Sequence, residues 1–176
     1  MSDLPAIRLK DAWLQCQRHL HHLRHALSAV QHALPLTATA LRNLNDEAVQ
    51  DWDQLILRFT KLQDTMGSRL FSAALDVLQE SFEDRPMIDK LHRLEKLGYV
   101  RDVAEWNQLR VIRNRFEHDY PKDYALKAAY LNEAAGALRR LSCCCSVSNP
   151  CSVTRQSGPE AVALQRSCTP ALAAAL

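Results

Sequence analysis

Up to Leu141, apolar side chains recur three and four positions apart, the period of α-helices that bury one face. The longest such run is Trp13, Cys16, Leu20, Leu23, Leu27, Val30 and Leu34. It predicts a helix from about Pro5 to Leu34, stopped by Pro35, whose ring clashes with a continuing helix and which has no N–H to donate. A connector or short helix over 37–45 follows, with the Asn43–Asp46 stretch supplying cap chemistry. From Glu47 to about Phe82 the period returns at Val49, Trp52, Leu55, Ile56, Phe59, Leu62, Met66, Leu70, Ala73 and Val77. Gly67 falls inside this segment and marks a bend or a close helix contact. Residues 82–86 read as a loop. Met87, Ile88, Leu91, Leu94 and Leu97 then form a short amphipathic helix that Gly98 caps. A helix over 103–119 carries Trp106, Leu109, Ile112 and Phe116 inward, opens on Asp102 and Glu105 as a capping pair, and is closed by Pro121. Tyr124, Ala128, Leu131, Ala135, Leu138 and Leu141 trace a last helix from about Lys122. The fold class expected is all-α, an antiparallel helical bundle over residues 1–141.

After Leu141 the pattern breaks. Residues 142–176 hold five of the six cysteines, no lysine, a single acid and no aromatic residue. Such a stretch has too little apolar periodicity to fold alone, so a disordered or aberrant tail is expected. The abruptness is what a shifted reading frame would produce. Adjacent thiols at Cys143, Cys144 and Cys145 point apart and suit neither one local disulfide framework nor one zinc site. Cys16, within the helical run, reads as a small core side chain.

Charge narrows the function classes. The formal net charge is +2 in 176 residues, too small for a broad duplex-DNA surface, so any nucleic-acid contact has to be local. No apolar run approaches the ~18–20 residues of a membrane span, and the N-terminus lacks a leader's apolar core, so a cytoplasmic protein is expected. The first helix carries His19, His21, His22, His25 and His32. With Trp13 at heptad position a, His21, His22, His25 and His32 fall at b, c and f, opposite the seam. They read as a solvated face, and no metal or other cofactor is expected.

Candidate chemistry concentrates in residues 106–121. Arg110, Arg113 and Arg115, with Arg101 upstream, form the densest basic region, offset by Glu117, Asp119 and Asp123. Histidine moves protons near neutrality, and arginine's planar fork matches phosphate oxygens. A His–Arg pair is thus a minimal kit for splitting RNA through its own 2′-hydroxyl. Arg113 and His118 are five apart, about 500° of helical rotation or roughly 140° net, so they do not stack on one face. Asn114 and His118, four apart, do. Either the helix loosens at its end or a second copy supplies the missing partner.

Arg113-Asn114, three further residues and His118-Asp119-Tyr120 resemble the Arg-x4–6-His-x-Tyr motif of HepT-like toxins, within the wider HEPN domains. Upstream, Arg58-Phe59-Thr60-Lys61-Leu62-Gln63-Asp64-Thr65-Met66-Gly67 resembles the Arg-Phe-x-Lys-Leu-Gln-Asp-x-x-Gly stretch of the same proteins. With the helix pattern, the resemblance spans about residues 5–141. It implies a dimerising helical bundle whose two motifs line a cleft between subunits, and a metal-independent endoribonuclease acting as a toxin. Arg113 and His118 would be catalytic, Asn114 supporting, and Arg110 and Arg115 would touch RNA. Tyr120 would be the residue that a partner nucleotidyltransferase antitoxin adenylylates. Arg58 and Asp64 would fix one helix against another.

Two other readings stand beside this one. In the first, a non-catalytic HEPN module uses the same arginines to hold a nucleotide or the partner nucleotidyltransferase. The intact Arg113, His118 and Tyr120 weigh against it, since binding alone has less need of the histidine. In the second, the seam of residues 13–34 serves a purely structural helix pair, which leaves the 110–120 cluster unexplained. Tyr124, near Tyr120, is expected to pack rather than to be modified.

Overall fold

The computed structural model describes residues 4–80, 84–118 and 123–147, the side chains of 117–118 and 139–147 excepted. Among these residues the chain is an all-α helical bundle. In order, α1 is Leu4–Val30, continued by a 3₁₀ turn Gln31–Ala33; α2 is Ala38–Arg42; α3 is Asp46–Thr65. A π-helical turn, Met66–Leu70, joins α3 without a break to α4, Phe71–Val77; α5 is Met87–Lys96, α6 Val103–His118 and α7 Tyr124–Val147.

The helix starts follow from cap chemistry. Thr37 accepts from the Ala40 N–H at 3.1 Å to open α2, and Asn45 accepts from the Ala48 N–H at 2.8 Å to open α3. Each satisfies a donor that the first helical turn leaves without an intrahelical partner. Asp102 Oδ1 accepts from the Ala104 N–H at 2.7 Å and the Glu105 N–H at 3.4 Å, capping α6 as expected. Glu95, from α5, takes the Val103 N–H at 2.8 Å and so ties the start of α6 to its predecessor. Asp123 opens α7 by accepting from the Ala125 N–H at 2.8 Å. At the end of α5, Gly98 adopts φ +78°, the Gly98 N–H reaches the Glu95 carbonyl at 2.9 Å, and the Tyr99 N–H reaches the Leu94 carbonyl at 2.8 Å. These two bonds make a Schellman cap, and both residues joined by the second, Tyr99 and Leu94, are buried.

Helix α1 runs antiparallel to the long α3–π–α4 rod. Gln15 meets Arg69, and further back on α1 Arg8 shares a surface hollow with Asp76 and Gln79. The buried face of α1 is Leu9, Ala12, Cys16, Leu20, Leu23, Ala26 and Val30. The seam is therefore rotated from the expected one: Ala12 and Ala26 are buried in it, while Trp13 and Leu27 flank it half-buried. Small side chains let helix backbones approach, whereas a bulky indole is accommodated at the margin. Opposite them Trp52, Leu55, Phe59, Leu62, Met66, Leu70 and Phe71 are buried.

Helix α7 closes the bundle. Asn132 brackets Leu36: its Oδ1 accepts from the Leu36 N–H at 2.7 Å, and its Nδ2 donates to the Leu36 carbonyl at 2.9 Å. This fixes the segment between α1 and α2 on α7. Several expectations are corrected. Val49 and Ile88, taken as inward, are exposed: Val49 lies in the first turn of α3, and Ile88 lies about 100° around α5 from Met87, which packs on the core. Tyr124 does not pack into the core; it is exposed, with the Arg42 guanidinium 5.1 Å from its ring centroid. The α1 helix yields to the 3₁₀ turn before Leu34, and the long third segment ends at Val77, not Phe82. Helix α7 crosses Leu141 and continues to Val147, so residues 142–147 are helical. The remainder of the expected tail, 148–176, lies outside the described residues. No helix among the described residues is long and apolar enough to cross a membrane.

Candidate functional site

The rod of α3 and α4 loosens where α6 passes it. Thr65 donates its hydroxyl to the Lys61 carbonyl at 2.8 Å, and Ser68 donates to the Asp64 carbonyl at 2.6 Å. Such back-bonding to the carbonyl four residues earlier competes with the backbone ladder and bends helices. Gly67, between them, is a poor helix former and weakens the ladder further. The outcome is the π turn at Met66–Leu70, a feature found disproportionately at functional sites.

Across from this turn, α6 presents Trp106. Its indole is fully buried and stands edge-on to Phe71, with ring centroids 4.9 Å apart and 66° between planes. A Cβ on Gly67 would lie 3.5 Å from Trp106 Cζ2, so the turn and the indole face each other at contact distance. Between them is a cleft of about 290 Å³. Gln63, Asp64, Gly67 and Ser68 come from α3 and the π turn; Trp106, Arg110 and Arg113 come from α6; Met87 from α5 completes the lining.

Arg113 stands at this cleft as a tethered cation. Its Nη2 pairs with Asp64 Oδ1 at 2.5 Å, and its Nη1 donates to Asn114 Oδ1 at 2.9 Å. The ion pair is half-shielded, with side-chain exposures of 21% for Arg113 and 37% for Asp64, so solvent screens it only in part. Asp64 thus bridges α3 to α6, and Asn114 orients the same guanidinium from the next position along the helix. Arg110, one turn earlier and exposed, flanks the cleft beside Arg113.

Arg115 is placed elsewhere. Its Nη1 pairs with Glu133 Oε2 at 2.5 Å, and its guanidinium lies 5.0 Å from the Tyr130 ring centroid, both on α7. Two residues along a helix is about 200° of rotation, so Arg113 and Arg115 point to opposite sides. The three arginines that are clustered in sequence therefore serve two surfaces. His118 is the last residue of α6; its side chain, and the whole of Tyr120, lie outside the described residues.

Two cleft residues were not singled out as functional from the sequence. Gln63 is 2% exposed, and among the described residues neither atom of its amide head has a hydrogen-bond partner; the same holds for Trp106 Nε1. The available signal was a glutamine next to Leu62 and three before Met66, at a position the helical period assigns to the core.

Among the described residues no group of three His, Cys, Asp or Glu side chains is placed to hold a metal ion. His21, His22, His25 and His32 are exposed, and His19 is half-buried beside α3. Burial, then the nearby Arg58, Lys61, Arg18 and His22, lower the His19 pKa below the usual imidazole value. Comparison with family models, curated proteins and solved structures finds no match to this chain.

Proposed function

We propose that the chain is a HepT-like ribonuclease toxin, working as a homodimer and cutting RNA with Arg113 and His118. The observation that supports it is the tethering of Arg113. Asp64 and Asn114 hold its guanidinium at an indented surface, on the same helix that carries His118 five residues further on. A cation fixed before substrate arrives requires little reorganisation as charge grows on a phosphorane. In the reaction, His118 accepts the 2′-hydroxyl proton while the 2′-oxygen attacks phosphorus. The bond to the 5′-oxygen breaks, that oxygen takes up a proton, and the products are a 2′,3′-cyclic phosphate and a 5′-hydroxyl.

The roughly 140° between Arg113 and His118 on one helix favours assembly of the site from two copies. A nucleotidyltransferase antitoxin would silence it by adding AMP to Tyr120. The adduct places negative charge two residues from His118, where the RNA phosphate approaches. The cytoplasm, where RNA and such a partner meet, is the expected compartment.

The test is cleavage of a defined RNA in EDTA by the unmodified chain and by His118→Ala. The expected result is cutting by the former and a loss of at least about 100-fold in the variant, the lower end for general acid–base catalysis. Equal cutting by both, or none by either, would overturn the enzyme reading. The Asp64 pair, which partly neutralises Arg113, favours as a second reading a non-catalytic nucleotide- or partner-binding module. The last of these outcomes points to it.

A further inference from the structure

We infer that the cleft between the π turn and α6 seats a single nucleobase, and that the Gln63 amide reads its hydrogen-bonding edge. The inference deepens the ribonuclease reading and rests on it for what the base belongs to, an RNA strand.

The argument begins with polar groups that the fold buries and does not satisfy. Native interiors pair nearly all their buried polar atoms, and an exception calls for an explanation. Gln63 leaves both its amide oxygen and its amide nitrogen without a partner among the described residues, and Trp106 leaves its indole N–H. These three atoms are shielded from solvent, and they belong to two residues, Gln63 and Trp106, that line the same cleft. The remaining walls are the side-chain-free Gly67, the Ser68 hydroxyl and the apolar Met87, with Arg110 and Arg113 at the cationic side and the Asp64 carboxylate held by Arg113.

The chemistry of the occupant follows from this set. A primary amide presents a donor beside an acceptor. A phosphate or carboxylate would satisfy the donors and set its charge against the amide oxygen. An apolar group would satisfy nothing. A nucleobase edge offers a donor and an acceptor side by side, and glutamine paired to adenine is the recurring example. The indole N–H adds a donor for a ring nitrogen or carbonyl. The cleft, about 290 Å³, lies at the lower end of small-molecule pockets, which suits one base and not a stack of them. Arg110 and Arg113 stand where the sugar–phosphate of that nucleotide would continue, so the base seat and the phosphate-handling arginines form one continuous surface.

The experiment is calorimetric titration of the full chain with 5′-AMP and, separately, ribose 5-phosphate, which has the same phosphate and sugar without the base. AMP is expected to bind at least tenfold more tightly. Gln63→Met should reduce AMP to the affinity of ribose 5-phosphate and leave ribose 5-phosphate unchanged. Gly67→Ala provides a second arm. Its methyl would stand 3.5 Å from Trp106 Cζ2, an ordinary contact, yet it would occupy the cleft. It should lower AMP affinity at least tenfold without lowering the melting temperature. AMP binding no tighter than ribose 5-phosphate, or full AMP affinity in either folded variant, would overturn the seat. The two readings separate cleanly. Base discrimination without RNA cleavage retains the seat and removes the enzyme; cleavage that depends on His118 without base discrimination does the reverse.

Discussion

Replacing Gln63 with methionine should make the protein more stable. Gln63 lies on the buried face of α3, 2% exposed, beside Leu62 and one turn before Met66, both fully buried. Its amide oxygen and nitrogen are desolvated with no hydrogen bond returned among the described residues. Leaving a buried polar group unsatisfied costs about 1–3 kcal/mol. Methionine has the same unbranched reach, fills irregular space easily and carries no strong donor or acceptor. The substitution should therefore recover about 1–3 kcal/mol with little change in packing. For a chain of this size each kcal/mol moves the midpoint by about 2–4 °C, so a rise of about 2–12 °C is expected. Urea titration is the sharper assay, since the midpoint should climb while the slope stays constant. A loss of about 1 kcal/mol or more would refute the reasoning. It would mean that the amide has partners in the native state, and the case for an unmet hydrogen-bonding edge in the cleft would go with it. The expected gain has a functional counterpart: sites often keep groups that destabilise the fold because ligands need them.

The His19 pKa is lowered on folding, so between its folded value and the unfolded value near 6.5 the unfolded chain binds more protons. Its contribution to stability is then present above about pH 6.5 and lost as pH falls through the folded value. His19→Gln should flatten the stability–pH curve just below pH 6.5, and an unchanged slope in urea titrations across that range would count against the assignment. At Gly98, φ is +78° and a Cβ added there would meet nothing within 4 Å, so Gly98→Ala should cost only the left-handed backbone penalty, about 1–2 kcal/mol. Thermal denaturation that shows no loss would argue against the Schellman cap. Burial pushes the Cys16 thiol up to about 12, with Arg69 opposing weakly. An alkylating reagent at pH 8 should spare Cys16 in the native chain and label it in urea, as read by peptide mass mapping; equal labelling in both would contradict its burial.

The helices were legible because burial imposes a period, and the caps at Asn45, Gly98 and Asp102 because particular side chains and backbone angles mark them. What failed was finer than the period. Trp13 and Leu27 are the larger hydrophobes, yet Ala12 and Ala26 are the more deeply buried, since a face packed against other helices has room for small volume. Val49 and Ile88 fit the pattern but are exposed, Val49 in the first turn of α3 and Ile88 about 100° around α5 from Met87. At the site, linear clustering grouped Arg115 with Arg113, whereas helix geometry sends it to Glu133 and Tyr130. The Asp64–Arg113 pair joins residues 49 positions apart in the chain. Periodicity does not carry that information; only the resemblance singled out Asp64, as a tie between helices. Gln63 was hidden by the same rule that found the core, because a period assigns a place and is indifferent to whether the occupant's hydrogen bonds are met.

The π turn at Met66–Leu70 also has a bearing on chain length. It is an extra residue absorbed by a helix that otherwise advances about 100° per position. Removing one residue there would not shorten a loop. It would restore an ordinary helix and leave α4 in its present phase, because the π turn is what absorbs the extra residue. Phe71 would stay at the edge of Trp106, while the widened stretch holding Gly67 and Ser68 would be lost from the cleft wall. The segment keeps the two halves of one rod in step across an added residue, so a single-residue deletion within it should be felt at the cleft while the helix itself persists. A shortened chain whose melting temperature and AMP titration both matched the parent's would show that the widened turn does not shape the cleft.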